Sequence, residues 1–117
     1  MICDTDELLL VAQRWITASA TVILDFSLFE SGGKQVFTTR LRGRVTSIDR
    51  EIPGFCFLPS DGDLVIIVLR DWQVGYVDQS VFAPDDPNRM NEVFTLNRHC
   101  ALLGVGTDID DDPHTVR

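Results

Sequence analysis

Half of the ten basic side chains in this 117-residue chain fall within residues 34–50, as Lys34, Arg40, Arg42, Arg44 and Arg50. Asp49 is the only acid among them, so this stretch carries +4 while the rest of the chain carries −12. An arginine fork matches two phosphate oxygens at once. Arginines at alternate positions 40, 42 and 44 share one face of an extended strand, where together they can hold a run of phosphates. The plainer reading is a solvated strand face that keeps an edge from aggregating, or that pairs with acids of the same chain or of a neighbouring subunit.

Other reactive residue types are arranged less tellingly. Asp108-Ile-Asp-Asp-Asp112 begins like a calcium loop. An EF-hand needs Gly at its sixth position and Glu at its twelfth, whereas Pro113 stands sixth, so a solvated tail is expected. His99 and Cys100 are neighbours and would face opposite sides of a strand. Cys3, Cys56 and Cys100 are odd in number, far apart and lack a CxxC pair, which fits a reducing compartment better than a disulfide framework or a zinc site. Asp49 with Glu51, and Asp61 with Asp63, fall at turns, where acids serve the backbone. No hydrolase triad, phosphate loop or carboxylate pair can be placed, so neither an enzyme, a metal nor a cofactor is expected. Trp72 and Tyr76 near a tight link can stack on bases at about 1–3 kcal/mol each or fill a subunit interface; the interface is favoured.

The elements that must position these residues are legible in the hydrophobic pattern. An apolar fraction of 44% allows a real core, and a net charge of −8 repels nucleic acid and anionic membranes at long range. Asp4 and Glu7 have capping-box spacing, and Leu8, Val11, Ala12, Trp15 and Ser19 follow at helical steps, with Leu9 and Ile16 widening the stripe. This predicts a helix over 5–17 with Trp15 buried. The period then becomes two: Ala20, Val22, Leu24, Phe26 and Leu28 face one way, and Thr21, Ile23, Asp25 and Ser27 the other.

After a turn at 30–34, a second strand over 35–48 turns Phe37, Leu41 and Val45 inward and the arginines outward, with Gly43 marking a bend or bulge. Phe55–Leu58 is a third strand. Leu64–Leu69 reads as a fourth, buried on both faces, and Val74–Val77 as a fifth. Residues 92–105 are expected to be extended towards their end, and 107–117 to form an acidic tail.

The longest aliphatic run, Leu64–Leu69, is far short of the roughly 20 residues that span a bilayer. The start is acidic where a signal peptide would be basic, so a cytoplasmic location is expected.

A helix followed by five short strands, the second bent at a glycine, resembles the Sm/LSm fold of ring-forming RNA-binding proteins. Gly43, Val45, Asp49, Ile52, Pro53 and Cys56 stand at the positions of that family's first motif, and Leu69-Arg70-Asp71-Trp72-Gln73-Val74 at its second. The likeness covers about residues 5–78 in architecture and 43–74 in motif. Pro53 replaces the base-reading Asn, and Asp71 replaces a Gly. Arg40-x-x-x-Arg44 also imitates the arginine motif of the PilZ domain, but that family's Asp-x-Ser-x-x-Gly partner is missing downstream.

The resemblance implies a single domain over 1–106 with a five-stranded, strongly bent small barrel at about 20–78. It implies RNA contact through Arg40, Arg42, Arg44, Asp49 and Arg70, weak and without base recognition. It further implies a ring-like homo-oligomer in which the fourth strand of one subunit meets the fifth of the next, through Leu64, Ile66, Val68, Trp72, Val74 and Tyr76. The alternative is a structural or adaptor module, for instance a phage or mobile-element component, that keeps the barrel without RNA binding.

Overall fold

The computed structural model describes residues 4–77, 85 and 90–108. It begins with helix α1 (Thr5–Thr17), and the Asp4 carboxylate accepts from the Glu7 amide at 3.0 Å. That bond satisfies one of the amides that a helix start leaves without an intrahelical partner. Asp6 and Glu7 in the first turn and Arg14 in the last follow the helix dipole. The helix runs over the length that its spacing predicts and buries Leu8, Leu9, Ala12 and Trp15. Val11 and Ile16 pack at the margin of the core. Leu10, off the stripe, is 61% exposed.

Seven strands follow among the described residues: β1 (Val22–Phe29), β2 (Gln35–Asp49), β3 (Gly54–Pro59), β4 (Val65–Val68), β5 (Gln73–Val77), β6 (Met90–Arg98) and β7 (Ala101–Asp108). They form one curled antiparallel sheet in the order β4-β3-β2-β1-β7-β6-β5. The five strands expected from the sequence are all present, but β6 and β7 join them, and the sheet therefore extends well beyond residue 78. These two strands form a hairpin that inserts β7 beside β1 and leaves β5 paired with β6. Strand β7 also continues two residues into the segment expected to be tail, with Thr107 and Asp108 buried. Residues 109–117 lie outside the described residues. No ladder joins β4 to β5 among the described residues, so both are edge strands.

The bend in β2 follows from its sequence. Residues up to Gly43 pair with β1, and residues from Gly43 onward pair with β3. At this handover a Cβ on residue 43 would lie 2.1 Å from the Leu58 carbonyl oxygen, so only glycine permits the approach. A bulge between Val45 and Ser47 adds to the turn of the strand. The two halves of β2 thereby carry the two wings of the sheet, and the helix lies against the core face of β2 and β3.

Alternation along β1 holds in its first half, while Leu28, expected on the inward face, is 37% exposed. Val22 and Leu24 enter the core with Val45, Phe55, Phe57, Val74, Phe94, Leu96, Leu103 and Val105. Ile23 faces the other side, where it forms a small buried cluster with Met90 and Val93. The fourth strand departs from its expected burial on both faces. Ile67 is 7% exposed, but Ile66 is 69% and Val68 43% exposed, because β4 is the last strand on its side and nothing described covers its outer face. No described helix is long and apolar enough to cross a membrane.

Trp15 is 3% exposed and meets the Phe94 ring edge-on, with centroids 6.3 Å apart. Its indole nitrogen is buried without a hydrogen-bond partner among the described residues. Trp15→Ala should therefore cost roughly 3–5 kcal/mol in denaturant unfolding. Trp15→Phe should cost clearly less, since it keeps the ring contact and removes the unpartnered N–H. Equal losses in the two variants would contradict this packing.

Candidate functional site

Extended backbone places Arg40, Arg42 and Arg44 on the outer face of β2, as their alternation requires. Their surroundings decide what they can bind. Arg40 is the cross-strand neighbour of Asp25, and its guanidinium donates to that carboxylate at 3.1 Å. Arg42 pairs with Asp108, whose side chain is only 6% exposed. Two of the three arginines are thus engaged by acids of the same chain, one from β1 and one from β7. Ser27 and Thr38 continue the polar row of the β1–β2 ladder with a hydroxyl contact of 3.2 Å. Arg44 lies beside an open polar groove of about 480 Å³ that Ser19, Thr21, Pro59 and Ser60 also line.

Asp49 and Arg70 form a separate locus. The Asp49 carboxylate accepts from the amides of Glu51 and Ile52 at 2.9 and 3.2 Å, which closes the turn from β2 to β3. The Leu69 amide donates to the Pro53 carbonyl at 2.8 Å, and this bond sets the β4–β5 link against that turn. Arg70, in the link, is exposed. Asp71 follows it with φ +68°, a left-handed conformation that favours glycine and that Asp tolerates better than most residues. In an extended strand Arg44 and Asp49 would stand roughly 16 Å apart. The five residues read as an RNA-facing set are thus split between a stripe in which Arg40 and Arg42 hold carboxylates and a pair of touching turns.

The interface set divides as well. Leu64, Ile66 and Val68 are 50%, 69% and 43% exposed along β4. Val74 is buried in the core, and Tyr76 packs on Phe94 with ring centroids 5.3 Å apart. Trp72 lines an apolar groove of about 320 Å³ with Leu24, Phe26, Leu103 and the length of β4.

Other apolar side chains are more exposed than the sequence suggests. Phe37, expected inward, is 50% exposed beside Val36 at 55%, Ile52 is 59% exposed at the turn that Asp49 closes, and Leu10 borders a groove of about 480 Å³ with Val11, Tyr76 and Phe94. Leu10 could have been found as the large aliphatic residue that falls off the buried stripe of α1. Arg14 crosses the same groove to Glu92 at 3.0 Å. Glu92 sits in the left-handed region, φ +48°, where β6 shifts register against β7.

Among the described residues no group of three or more histidines, cysteines and acids could hold a metal ion. Of the acidic run at 108–112, Asp108 is described and is paired with Arg42, while the others lie outside the described residues. No protein-family model matches the chain, and neither a curated protein nor a solved structure matches it.

The two ion pairs should respond differently to mutation. Arg40 and Asp25 are each about one-third exposed, and removing such a pair usually costs about 0.2–1 kcal/mol. Arg42→Ala strips a counter-ion from a buried carboxylate, and its cost should be larger, about 1–3 kcal/mol. Parallel urea titrations of Arg40→Ala and Arg42→Ala measure the difference. Equal, negligible losses would show that Asp108 does not depend on Arg42.

Proposed function

We propose that this chain is an Sm-like module that assembles with copies of itself through edge strands β4 and β5, and that its role is primarily that of a structural or adaptor scaffold. The observation that carries the reading is the pair of open edges. β4 and β5 follow one another in the chain and end the two sides of one curled sheet, with no second ladder on either among the described residues, and natural proteins ordinarily cover such edges. Ile66 and Val68 make the β4 edge apolar, and few charges defend it. Edges at the two ends of one strand order suit a head-to-tail contact, which gives a ring if the rotation closes.

The touching turns around Pro53 and Leu69, the glycine-like conformation of Asp71 and the bend at Gly43 support the Sm-like part of the reading. Light scattering should give a particle that is a multiple of 13.1 kDa at micromolar concentration. A stable monomer would overturn the proposal.

RNA contact is the second reading, favoured by the meeting of the Asp49 turn with the Arg70 link. It is the weaker one. Pro53 offers neither a side-chain amide nor a backbone N–H, Asp71 adds negative charge beside Arg70, and Arg40 and Arg42 already hold carboxylates. Any affinity should come from phosphate contact by Arg44 and Arg70, and such contact is indifferent to base identity. Oligo-U and a mixed-sequence RNA should then bind alike, with binding lost between about 50 and 200 mM salt. Tight, salt-resistant and uridine-selective binding would replace this reading with a rebuilt base pocket. No binding even at low salt would leave the scaffold role alone.

A further inference from the structure

Arg44 is the arginine of the outer stripe to which no described carboxylate is joined, and it is exposed. The groove beside it is lined by Ser19, Thr21, Arg42, Pro59 and Ser60, and by no acid among the described residues. Asp108 meets the charge of Arg42, so Arg44 leaves the groove with one unbalanced positive charge. The chain leaves β7 at this same groove. Thr107 and Asp108 are 0% and 4% exposed, so the strand is still held in the fold at its last described residue. The Asp108 amide donates to the carbonyl of Thr21, a residue of the groove wall, at 2.9 Å. The residues that follow are Ile109, Asp110, Asp111 and Asp112.

Register relates these acids to the arginines. β2 and β7 flank β1 and are each antiparallel to it, so they run in the same direction. Through Ile23, Arg42 stands level with Gly106, and through Val22, Gly43 stands level with Thr107. One step on, Arg44 stands level with Asp108. Arg42 nevertheless pairs with Asp108, so its guanidinium reaches across β1 and two residues forward. The same reach from Arg44, two residues beyond Arg42, ends at position 110. Two residues of extended chain advance about 6.8 Å, so both arginines face the same step. In an extended continuation, residue 110 shares the face of Asp108 and residue 111 takes the opposite one.

We infer that the chain continues past Asp108 over the start of β1 and sets the Asp110 carboxylate on Arg44, filling the groove with the protein's own acidic segment. Charge favours this occupant, since residues 109–112 carry −3 and meet a guanidinium that no described acid holds. Arg40, Arg42 and Arg44 then each hold an acid of the same chain: Asp25, Asp108 and Asp110 in turn. The basic stripe is screened from within, and a phosphate reaches Arg44 only by displacing Asp110. The contact goes beyond the scaffold reading and holds with or without self-assembly.

The experiment compares the full-length protein with Asp110→Asn and Asp111→Asn, which remove the same charge from neighbouring positions, and with Arg44→Gln. Nuclear magnetic resonance reads the contact. Asp110→Asn should shift the Arg44 Nε–H signal and the amides of Thr21 and Ser60, and Asp111→Asn should leave them in place. In the unsubstituted protein the amides of 109–112 should be as ordered as those of β7, and they should loosen in both Asp110→Asn and Arg44→Gln. Tripolyphosphate binding at low salt reads the competition. Affinity should rise about threefold in Asp110→Asn, the scale of one exposed ion pair, and the rise should vanish when Arg44→Gln is added.

Free-chain relaxation over 109–112 in the unsubstituted protein would overturn the contact. Equal shifts in Asp110→Asn and Asp111→Asn would reduce it to a general charge effect. Arg44 shifts that grow with protein concentration would give the groove to an acid of a second copy instead. Failure of every form to bind tripolyphosphate would overturn the competition, while the resonance readout decides the contact by itself.

Discussion

The approach of the Leu58 carbonyl to residue 43 is the constraint on which the rest of this structure depends. A 15-residue strand cannot serve two ladders pointing in different directions unless it bends between them. The bend brings β3 so close that no side chain fits. From this one contact follow the curl of the sheet, the burial of Phe55 and Phe57 opposite Leu24 and Val105, and the hollow that α1 fills with Leu8, Leu9, Ala12 and Trp15. The helix is amphipathic and short, and isolated helices of such length are marginal in water; its stability derives from that hollow.

The sequence was most readable where a residue has a single local role. Asp4 and the apolar stripe gave α1 with its bounds, alternation gave both faces of β1, and Gly43 gave the bend. The β6–β7 hairpin was read only as extended chain. Its turn lies at His99-Cys100, with Cys100 in a left-handed conformation, φ +59°, and it lacks the Asn, Gly or Pro that normally marks such a turn. Gly104 and Gly106 also dilute the apolar alternation of β7, because their lack of side chains admits Met90, Val93 and the Asn91 carbonyl. The apolar run of β4 misled for a different reason. Composition reports how much burial a strand can gain, and in this strand order no described strand lies beyond β4 to cover Ile66 and Val68.

Charge shows the same division between local and tertiary information. The basic segment at 34–50 stands out against an acidic chain, and alternation correctly places its arginines on one face. What neutralises Arg40 and Arg42 comes from Asp25 on β1 and from Asp108, more than sixty residues downstream of Arg42. No spacing rule connects those positions. Asp49 is likewise a natural candidate for a ligand-facing acid by type, yet its carboxylate is taken up by two amides of its own turn. The side chains read as chemical groups therefore act largely as joints of the framework.

The place of β1 in the strand order bears on how the protein can be made. Its one neighbour, β2, is joined by a short turn and can pair while the chain is still growing. The other, β7, meets it through Val22 with Thr107 and Leu28 with Ala101, so the centre of the sheet stays open along one side until residues 101–108 have left the ribosome. Folding must then wait on contacts between the two ends of the sequence, the class of closure that slows a chain most. During that interval the apolar row of β1 is exposed to every nascent copy nearby. Synthesis thus passes through a stage in which the central strand β1 is an exposed edge along with β4.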